Sequence, residues 1–388
     1  MKPKILLICD VRGWGGWERA LMIKKYLSDE FDFDLMDNGE FDEFEKKSNQ
    51  HFIHVNEAIN IANKFAAHFT KNQICIPELL KYKKRTCTVS QDYDLYYLMF
   101  HTMLCSQQVK RIIYSGGKFI SAITGLPVIK EVFDNEKYAP NGATAFKYLA
   151  NASAGFVVNN MIAFKELKQI YAGPVFYTPR GVDENFWRSY PHHWIWKTED
   201  WKPINTKARP GQAIWNELSE KQKNDYYAKD FTAIFVGKKD SGKGLGTYIQ
   251  SACSQANIKL ITNERNYTNA LSKEQMRDFY NEGHVLMVAS TTDGTPNPAL
   301  EAAACGVPVL TNAIGNMPEF IKDGYNGFLV EREVSAYVEK LKWMKKNLDK
   351  VQQMGKNARK TIEEGWTWKH SMEYERKALR AFIYEVKK

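Results

Sequence analysis

Short apolar runs recur along the chain, each followed by a turn and then a stretch of helical periodicity. In the first half they are Ile5-Leu-Leu-Ile-Cys9, Tyr93-Asp-Leu-Tyr-Tyr-Leu98, Pro127–Phe133, Gly155-Phe-Val-Val158 and Phe176–Pro179. In the second they are Phe231–Val236, Ile258–Thr262, Val285–Ala289 and Val307–Thr311. Runs of roughly four to eight residues without apolar–polar alternation are what strands covered by helices on both faces require. Helical patterns fall at Asn56–Ala67, Met161–Ile170 and Ser272–Asn281, the last opened by a capping box of Ser272 and Gln275. The alternation predicts an α/β protein built on parallel sheets.

One unit of this pattern is unusually complete. After Val285–Ala289 comes Ser290-Thr-Thr-Asp293-Gly294-Thr295-Pro296-Asn297-Pro298, then an Ala-rich run to Ala304, Gly306 and Pro308. Asn297 is read as the N-cap, Pro298 as a first-turn residue, Gly306 as the left-handed C-cap and Pro308 as the stop. Asp293 and Glu301 then lie at the carboxyl end of a parallel strand, where open α/β sheets bind ligands. A helix start beside a glycine-bearing loop favours phosphate, whereas ionised carboxylates accept hydrogen bonds and so suit hydroxyls. Phosphate with hydroxyls points to a nucleotide sugar; a crossover helix with two solvated acids is the plain alternative.

Two further glycine-rich turns follow strands. Val11-Arg-Gly13-Trp-Gly15-Gly16-Trp-Glu18 follows the first, letting a ligand approach the backbone. It lacks the dinucleotide fingerprint and its spaced acid, which argues against an NAD enzyme. Gly237-Lys238-Lys239-Asp240-Ser241-Gly242-Lys243-Gly244 opens the second half and reads as a diphosphate clamp. It is not a Walker A loop, because Leu245 stands where Ser or Thr is needed.

With 388 residues, 44% hydrophobic and 26% charged, two soluble domains are expected. No run reaches membrane-spanning length and Met1–Ile8 reads as a strand rather than a signal peptide, so a cytoplasmic location is expected, the host's if the protein is viral. The six cysteines are scattered with no CxxC pair, which favours reduced, mostly buried thiols over zinc or disulfides. A net charge of +9 suits an anionic partner: a nucleotide, a membrane surface or a nucleic acid. Lys81-Tyr-Lys-Lys-Arg85 reads first as a solvated segment and second as a phosphate or membrane patch. Residues 184–229 change character, with Trp187, His192, His193, Trp194, Trp196 and Trp201 among prolines and charges. They read as a linker plus insertion. His101 reads as a core or helix histidine.

The ordered set of motifs resembles the retaining, nucleotide-sugar-dependent glycosyltransferases of the GT-B fold, in particular family four. That family's second domain reads G-R-L-x-x-x-K-G, then S-x-x-E-G-x-x-x-x-x-L-E-A-x-A-x-G-x-P-V, G-G-x-P-E and D-G-x-N-G. Gly237, Lys243 and Gly244 match the first, with Lys238 for the arginine. Ser290, Gly294, Leu300, Glu301, Ala302, Ala304, Gly306, Pro308 and Val309 match the second, the first of the two paired glutamates becoming Asp293. Gly315, Pro318, Glu319, Asp323, Gly324, Asn326 and Gly327 complete the set, with Asn316 for the second glycine. Arg180-Gly-Val-Asp183 resembles the family's interdomain N-G-V-D, and Gly15-Gly16 with Glu18 its first loop.

The resemblance implies two Rossmann-like domains facing across a cleft. Residues 1–183 would form the acceptor side and 230–369 the donor side, with a C-terminal helix of about 370–388 returning to the first. Lys238 and Lys243 would neutralise the donor diphosphate as the leaving group departs, without a metal or other cofactor. Glu301 would hold the ribose hydroxyls and Asp293 the transferred sugar. Gly294, Thr295, Pro296 and Asn297 would line the donor, and Gly15 and Gly16 would let the first domain close over it. Many relatives carry a histidine where Phe133 stands, so Asp134 or Glu131 is the polar candidate there. The donor is expected to be a UDP- or GDP-sugar. The acceptor is expected to be a glycan, a membrane-surface glycolipid, a small molecule or a flipped hydroxylated base in DNA, with no obligate protein partner. A non-catalytic nucleotide- or glycan-binding protein on the same scaffold is the competing reading, and a phosphorylase or epimerase a more remote one.

Overall fold

The computed structural model describes residues 1–9, 15–37, 93–100, 112, 117–125, 129, 150, 152–189, 231–238, 242–264 and 271–385. The chain divides into two compact units, Met1–Pro179 with Met372–Lys388, and Arg180–Ser371.

The first unit holds a six-stranded parallel sheet in the order β2-β1-β3-β4-β5-β6. The strands are β1 (Lys4–Cys9), β2 (Asp32–Asp37), β3 (Leu95–Leu98), β4 (Phe119–Ile123), β5 (Gly155–Val158) and β6 (Val175–Tyr177). β3, β4 and β5 are buried at every position, as helix-covered central strands demand. β2, at the edge, keeps Asp32 and Asp34 exposed around buried Phe33, a charge pattern that discourages further strand pairing. Helix α1 (Gly15–Leu27) follows β1, and α2 (Met161–Ile170) follows β5, its first turn capped by the Asn160 side chain accepting from Ala163 N at 2.8 Å.

Two expectations need correcting here. β4 is a central strand that the sequence reading passed over, because Ser121 interrupts its apolar run and glycines flank it. The run Pro127–Phe133 was expected as a strand, yet Ile129, its one described residue, is helical and donates its N–H to Gly125 O at 3.3 Å. Proline fits a first helical turn, and a short apolar run has no period that distinguishes the two states. Asn56–Ala67, Lys81–Arg85, His101, Glu131, Phe133 and Asp134 lie outside the described residues, as do His192, His193, Trp194, Trp196 and Trp201.

From Met372 the chain belongs to the first unit. Arg19 on α1 meets Glu375 at 2.5 Å, with both side chains buried, and also donates to Thr178 Oγ1. Arg376 and Arg380 clasp Glu30, and Phe382 stacks edge-on against Phe176. Burial works against the Arg19 charge, but the Glu375 carboxylate outweighs it and holds the guanidinium above its ordinary pKa.

The second unit holds a five-stranded parallel sheet in the order β11-β10-β9-β7-β8. Its strands are β7 (Thr232–Gly237), β8 (Lys259–Glu264), β9 (Val285–Val288), β10 (Val309–Asn312) and β11 (Gly327–Val330). A π-helical turn, Leu245–Gln250, runs into α3 (Ser251–Ala256), followed by α4 (Lys273–Asn281), α5 (Asn297–Ala304) and α6 (Met317–Phe320). The capping box at the start of α4 is present, Gln275 N bonding Ser272 Oγ and Ser272 N bonding Gln275 Oε1. α7 (Val334–Lys346) and α8 (Leu348–Gly365) follow, and α9 (Trp368–Arg380) runs from this unit into the first, where a π-helical turn, Ala381–Glu385, follows it. Trp187, expected in a linker, is a core residue of this unit, packed edge-on against Tyr280. Among the described residues Cys9, Cys253 and Cys305 are buried thiols outside any disulfide, and burial pushes the Cys253 thiol up to about 12. Among the described residues no helix is long and apolar enough to cross a membrane.

Candidate functional site

Strand order locates the site before any side chain is considered. In the second unit the chain passes from β7 to β8 on one side, then returns to place β9 on the other side of β7. The connections leaving β7 and β9 therefore diverge, and the carboxyl ends of those two strands form a topological switch point, where open α/β sheets take ligands. The Gly237–Gly244 loop leaves β7, and the Ser290–Asn297 loop leaves β9. In the first unit the same reversal falls between β1 and β3, and Gly15 and Gly16 open α1 directly after β1.

Lys243 is held by its neighbours. Gly242 and Gly244, on either side, have φ of +71° and +73°. A Cβ on Gly244 would lie 2.5 Å from Ala289 O, so the loop backbone presses against the end of β9 in a way only glycine permits. Thr291 N bonds Gly242 O at 2.9 Å, tying the two loops together. The stem of Lys243 crosses Gly237, whose missing Cβ would stand 3.4 Å from Lys243 Cγ. The ammonium reaches Asp293 Oδ2 at 2.5 Å, with 26% of the lysine side chain and 17% of the aspartate side chain exposed. Lys238 stands exposed immediately after β7.

The Asp293 loop is pinned from the β10 side. Asn316 N donates to Gly294 O at 3.1 Å, and Gly315, at φ +53°, leaves no room for a Cβ, which would meet Gly294 O at 2.3 Å. Thr295 is half-buried and Pro296 buried. Asn297 was expected to cap α5, but it is the helix's first residue: the cap position is Pro296, whose carbonyl accepts from Ala299 N at 2.8 Å. Proline supplies the fixed backbone angle there, so no side-chain cap is made. The far end follows expectation: Gly306 N bonds Ala303 O and Val307 N bonds Ala302 O, a Schellman closure.

Glu301 lies on α5, one turn beyond Asn297, and accepts from the Tyr280 hydroxyl at 2.6 Å through Oε2. Tyr280 escaped the sequence reading. Its signal was faint: a hydroxylated aromatic on the buried face of the otherwise polar helix α4. Arg332, likewise unforeseen, bonds Ala289 O at 2.9 Å and stacks 4.1 Å above the Tyr248 ring, bracing the end of β9 against the π-helical turn. π-Helical turns concentrate at functional sites.

The structure therefore brings Lys243, Asp293, Gly237 and Gly294 into one cluster of loops, with Glu301 on the helix that follows. Gly15 and Gly16 belong to the other unit, and Asp134 lies outside the described residues.

Comparison with known proteins agrees with this geometry. Residues 219–361 match the family model "Glycosyl transferases group 1". D-inositol 3-phosphate glycosyltransferase of Streptomyces coelicolor is 33% identical over 98 residues, 25% of this chain and 21% of that protein. This chain thus spans about a fifth of the length of that curated relative. The crystal structure of HepE from Anabaena in complex with UDP and glucose superposes with a TM-score of 0.63 at 14% identity, covering 98% of this chain and 100% of that one. Sucrose-phosphate synthase from Thermosynechococcus elongatus gives 0.63 at 13% identity, covering 99% and 100%. The chain has the GT-B fold of these solved structures, and residues 219–361 are similar to the glycosyl transferases group 1 family.

Proposed function

We propose that this protein is a glycosyltransferase that moves a sugar from a nucleoside-diphosphate donor, UDP-linked in the first instance, to a hydroxyl of a glycan or lipid-linked acceptor, with retention at the anomeric carbon. The observation that carries the proposal is the meeting of Lys243 and Asp293 at the β7/β9 switch point. A cation for phosphate and acceptor oxygens for hydroxyls are side by side there. UDP in the HepE structure supports the choice of base, and the seven-residue spacing between Asp293 and Glu301 supports retention by its resemblance to the family's paired acids.

In this reading Lys243 and Lys238 take the charge that develops on the leaving diphosphate, the α5 N-terminus assists, and no metal is called for. Glu301 accepts from the ribose hydroxyls and Asp293 from those of the transferred sugar, lined by Gly294, Thr295, Pro296 and Asn297. By resemblance to the family's first loop, Gly15 and Gly16 are the first unit's donor-side candidates. The anomeric carbon passes through oxocarbenium character, so charge placed to neutralise the departing phosphate acts mainly in the transition state.

The test is a thermal-shift screen with UDP-, GDP-, ADP- and CMP-sugars, followed by turnover with the donor that binds. Saccharide, lipid-linked and hydroxymethylated-DNA acceptors are offered in parallel, and the product's anomeric configuration is read by NMR. Stabilisation by one nucleotide class and an anomer matching the donor's is the expected result. Binding of a nucleotide sugar with no transfer to any of these acceptors would favour a non-catalytic binding protein instead.

A further inference from the structure

We propose that Asp293 competes with the nucleoside diphosphate for Lys243, so that this carboxylate sets how weakly the spent nucleotide is held. The inference rests on reading the Gly237–Lys243 loop as the diphosphate site. Its observation is the 2.5 Å contact between the Lys243 ammonium and Asp293 Oδ2. Both groups are mostly withdrawn from water, at 26% and 17% side-chain exposure, so their attraction is only partly screened. Neither is free to drift. The loop that carries Lys243 is tied by Thr291 N on Gly242 O at 2.9 Å, and the Asp293 loop is latched by Asn316 N on Gly294 O at 3.1 Å.

A phosphate that reaches Lys243 must therefore displace the carboxylate or sit within ion-pair reach of it. Both cost affinity. With donor bound, the oxygens of Asp293 have sugar hydroxyls to accept from, and the loss of Lys243 is offset. Transfer then breaks the bond between the anomeric carbon and the diphosphate oxygen, and the electron pair leaves on the diphosphate. The acceptor oxygen forms the new bond and its proton passes to solvent, directly or by way of the product phosphate. The nucleotide now carries an additional terminal-phosphate charge, and the sugar that occupied Asp293 departs with the acceptor. Asp293 returns to Lys243, opposing the bound product at the moment its hydroxyl partners are gone.

The experiment is calorimetric titration of the full chain with UDP, GDP and ADP, in the wild type and in D293N, D293A, D293E and K243A. Removing the charge should tighten the nucleotide that the wild type binds by about 10- to 100-fold in D293N. D293A, which also lacks the charge, should move in the same direction, D293E should stay near wild type, and K243A should abolish the gain when combined with D293N. Equal or weaker nucleotide binding by both D293N and D293A overturns the competition while leaving the donor site standing, provided K243A still weakens binding. No binding of any of the three nucleotides by wild type or variants overturns the donor-site reading, and this inference with it.

Discussion

The Tyr280 hydroxyl on α4 donates to Glu301 Oε2 on α5 at 2.6 Å, and so fixes the plane of a carboxylate that the proposed function assigns to ribose. Tyr280 is fully buried and locked edge-on against Trp187 at 5.6 Å, so it can orient Glu301 without moving itself. A neutral donor to a charged acceptor is worth on the order of 1.5–3 kcal/mol. Tyr280→Phe keeps the ring and removes the bond. We expect UDP affinity to fall about tenfold, while affinity for 2′-deoxy-UDP falls less, because the lost orientation matters only to the hydroxyl that is missing. Equal losses for both ligands would reduce Tyr280 to a packing residue.

Both variants are expected to fold: Lys243→Ala should melt close to wild type, since its side chain is not part of the buried core, whereas Glu301→Ala leaves the buried Tyr280 hydroxyl without its acceptor and should lose about 1–3 kcal/mol of stability. Each should lower kcat/KM by about 100- to 1000-fold, the scale of losing one electrostatic contact to a developing charge or its positioning group. Lys243→Ala should act more on kcat and Glu301→Ala more on KM. Wild-type turnover by either folded variant removes that residue from the site.

Much of this site was legible because its parts are local. Lys243 and Asp293 each lie in a loop that directly follows a buried apolar strand, and Ser272 with Gln275 announced the start of α4 within four residues. Their contact was not legible, since it depends on β9 lying beside β7 although the two strands are separated in sequence by β8. The Tyr280–Glu301 bond was hidden for the same reason: it joins two helices across a core, with no spacing rule to betray it. β4 is hard to read from sequence because Ser121 breaks its apolar run. The helical state of Ile129 is not legible in the sequence because a short apolar run after a proline starts either element equally well.

In the first unit, Glu375 is a fully buried carboxylate whose charge is balanced by Arg19 at 2.5 Å. Glu375→Ala leaves the buried Arg19 guanidinium without this acidic partner, and about 3–5 kcal/mol of stability should be lost in urea unfolding. Replacing both partners by methionine should restore most of it, because the penalty lies in the orphaned charge rather than in the missing pair. A loss below about 1 kcal/mol for Glu375→Ala would mean that water reaches Arg19 in solution.

The clasp on Glu30 predicts a pH dependence. Arg380 bonds its two oxygens at 2.7 Å each, Arg376 adds a contact at 3.0 Å, and the carboxyl is held below its ordinary value of 4.5, chiefly by the Arg380 hydrogen bonds. Asp29, beside it, is lowered from 3.8 by Arg376. With the folded pKa depressed, the folded state binds fewer protons than the unfolded one. The contribution is therefore complete above about pH 4.5 and disappears as pH falls through the folded value. Glu30→Gln should melt below wild type at pH 7, and the two melting curves should converge as pH drops below 4.5. A gap that stays constant down to pH 3 would assign the effect to packing instead.

Gly315 carries the last prediction, because two independent constraints meet at one Cα. Its φ of +53° is a conformation that costs an alanine about 1–2 kcal/mol, and the added Cβ would also press to 2.3 Å from Gly294 O and 2.7 Å from Asp293 O. The first effect alone would lower stability and leave the site intact. The second must push the Asp293–Gly294 turn outward, stretching the Asn316 N to Gly294 O latch and with it the Lys243–Asp293 contact. Gly315→Ala is therefore expected to lower the melting temperature and, at a temperature where the variant is fully folded, to raise the KM for donor and lower kcat together. Asn316→Gly, which keeps the backbone donor, tests the latch from its other side and should retain most activity. If Gly315→Ala lost stability but kept wild-type kinetic constants when folded, the loop after β10 would be packing support only, and the position of Asp293 would have to be set entirely from the Lys243 side.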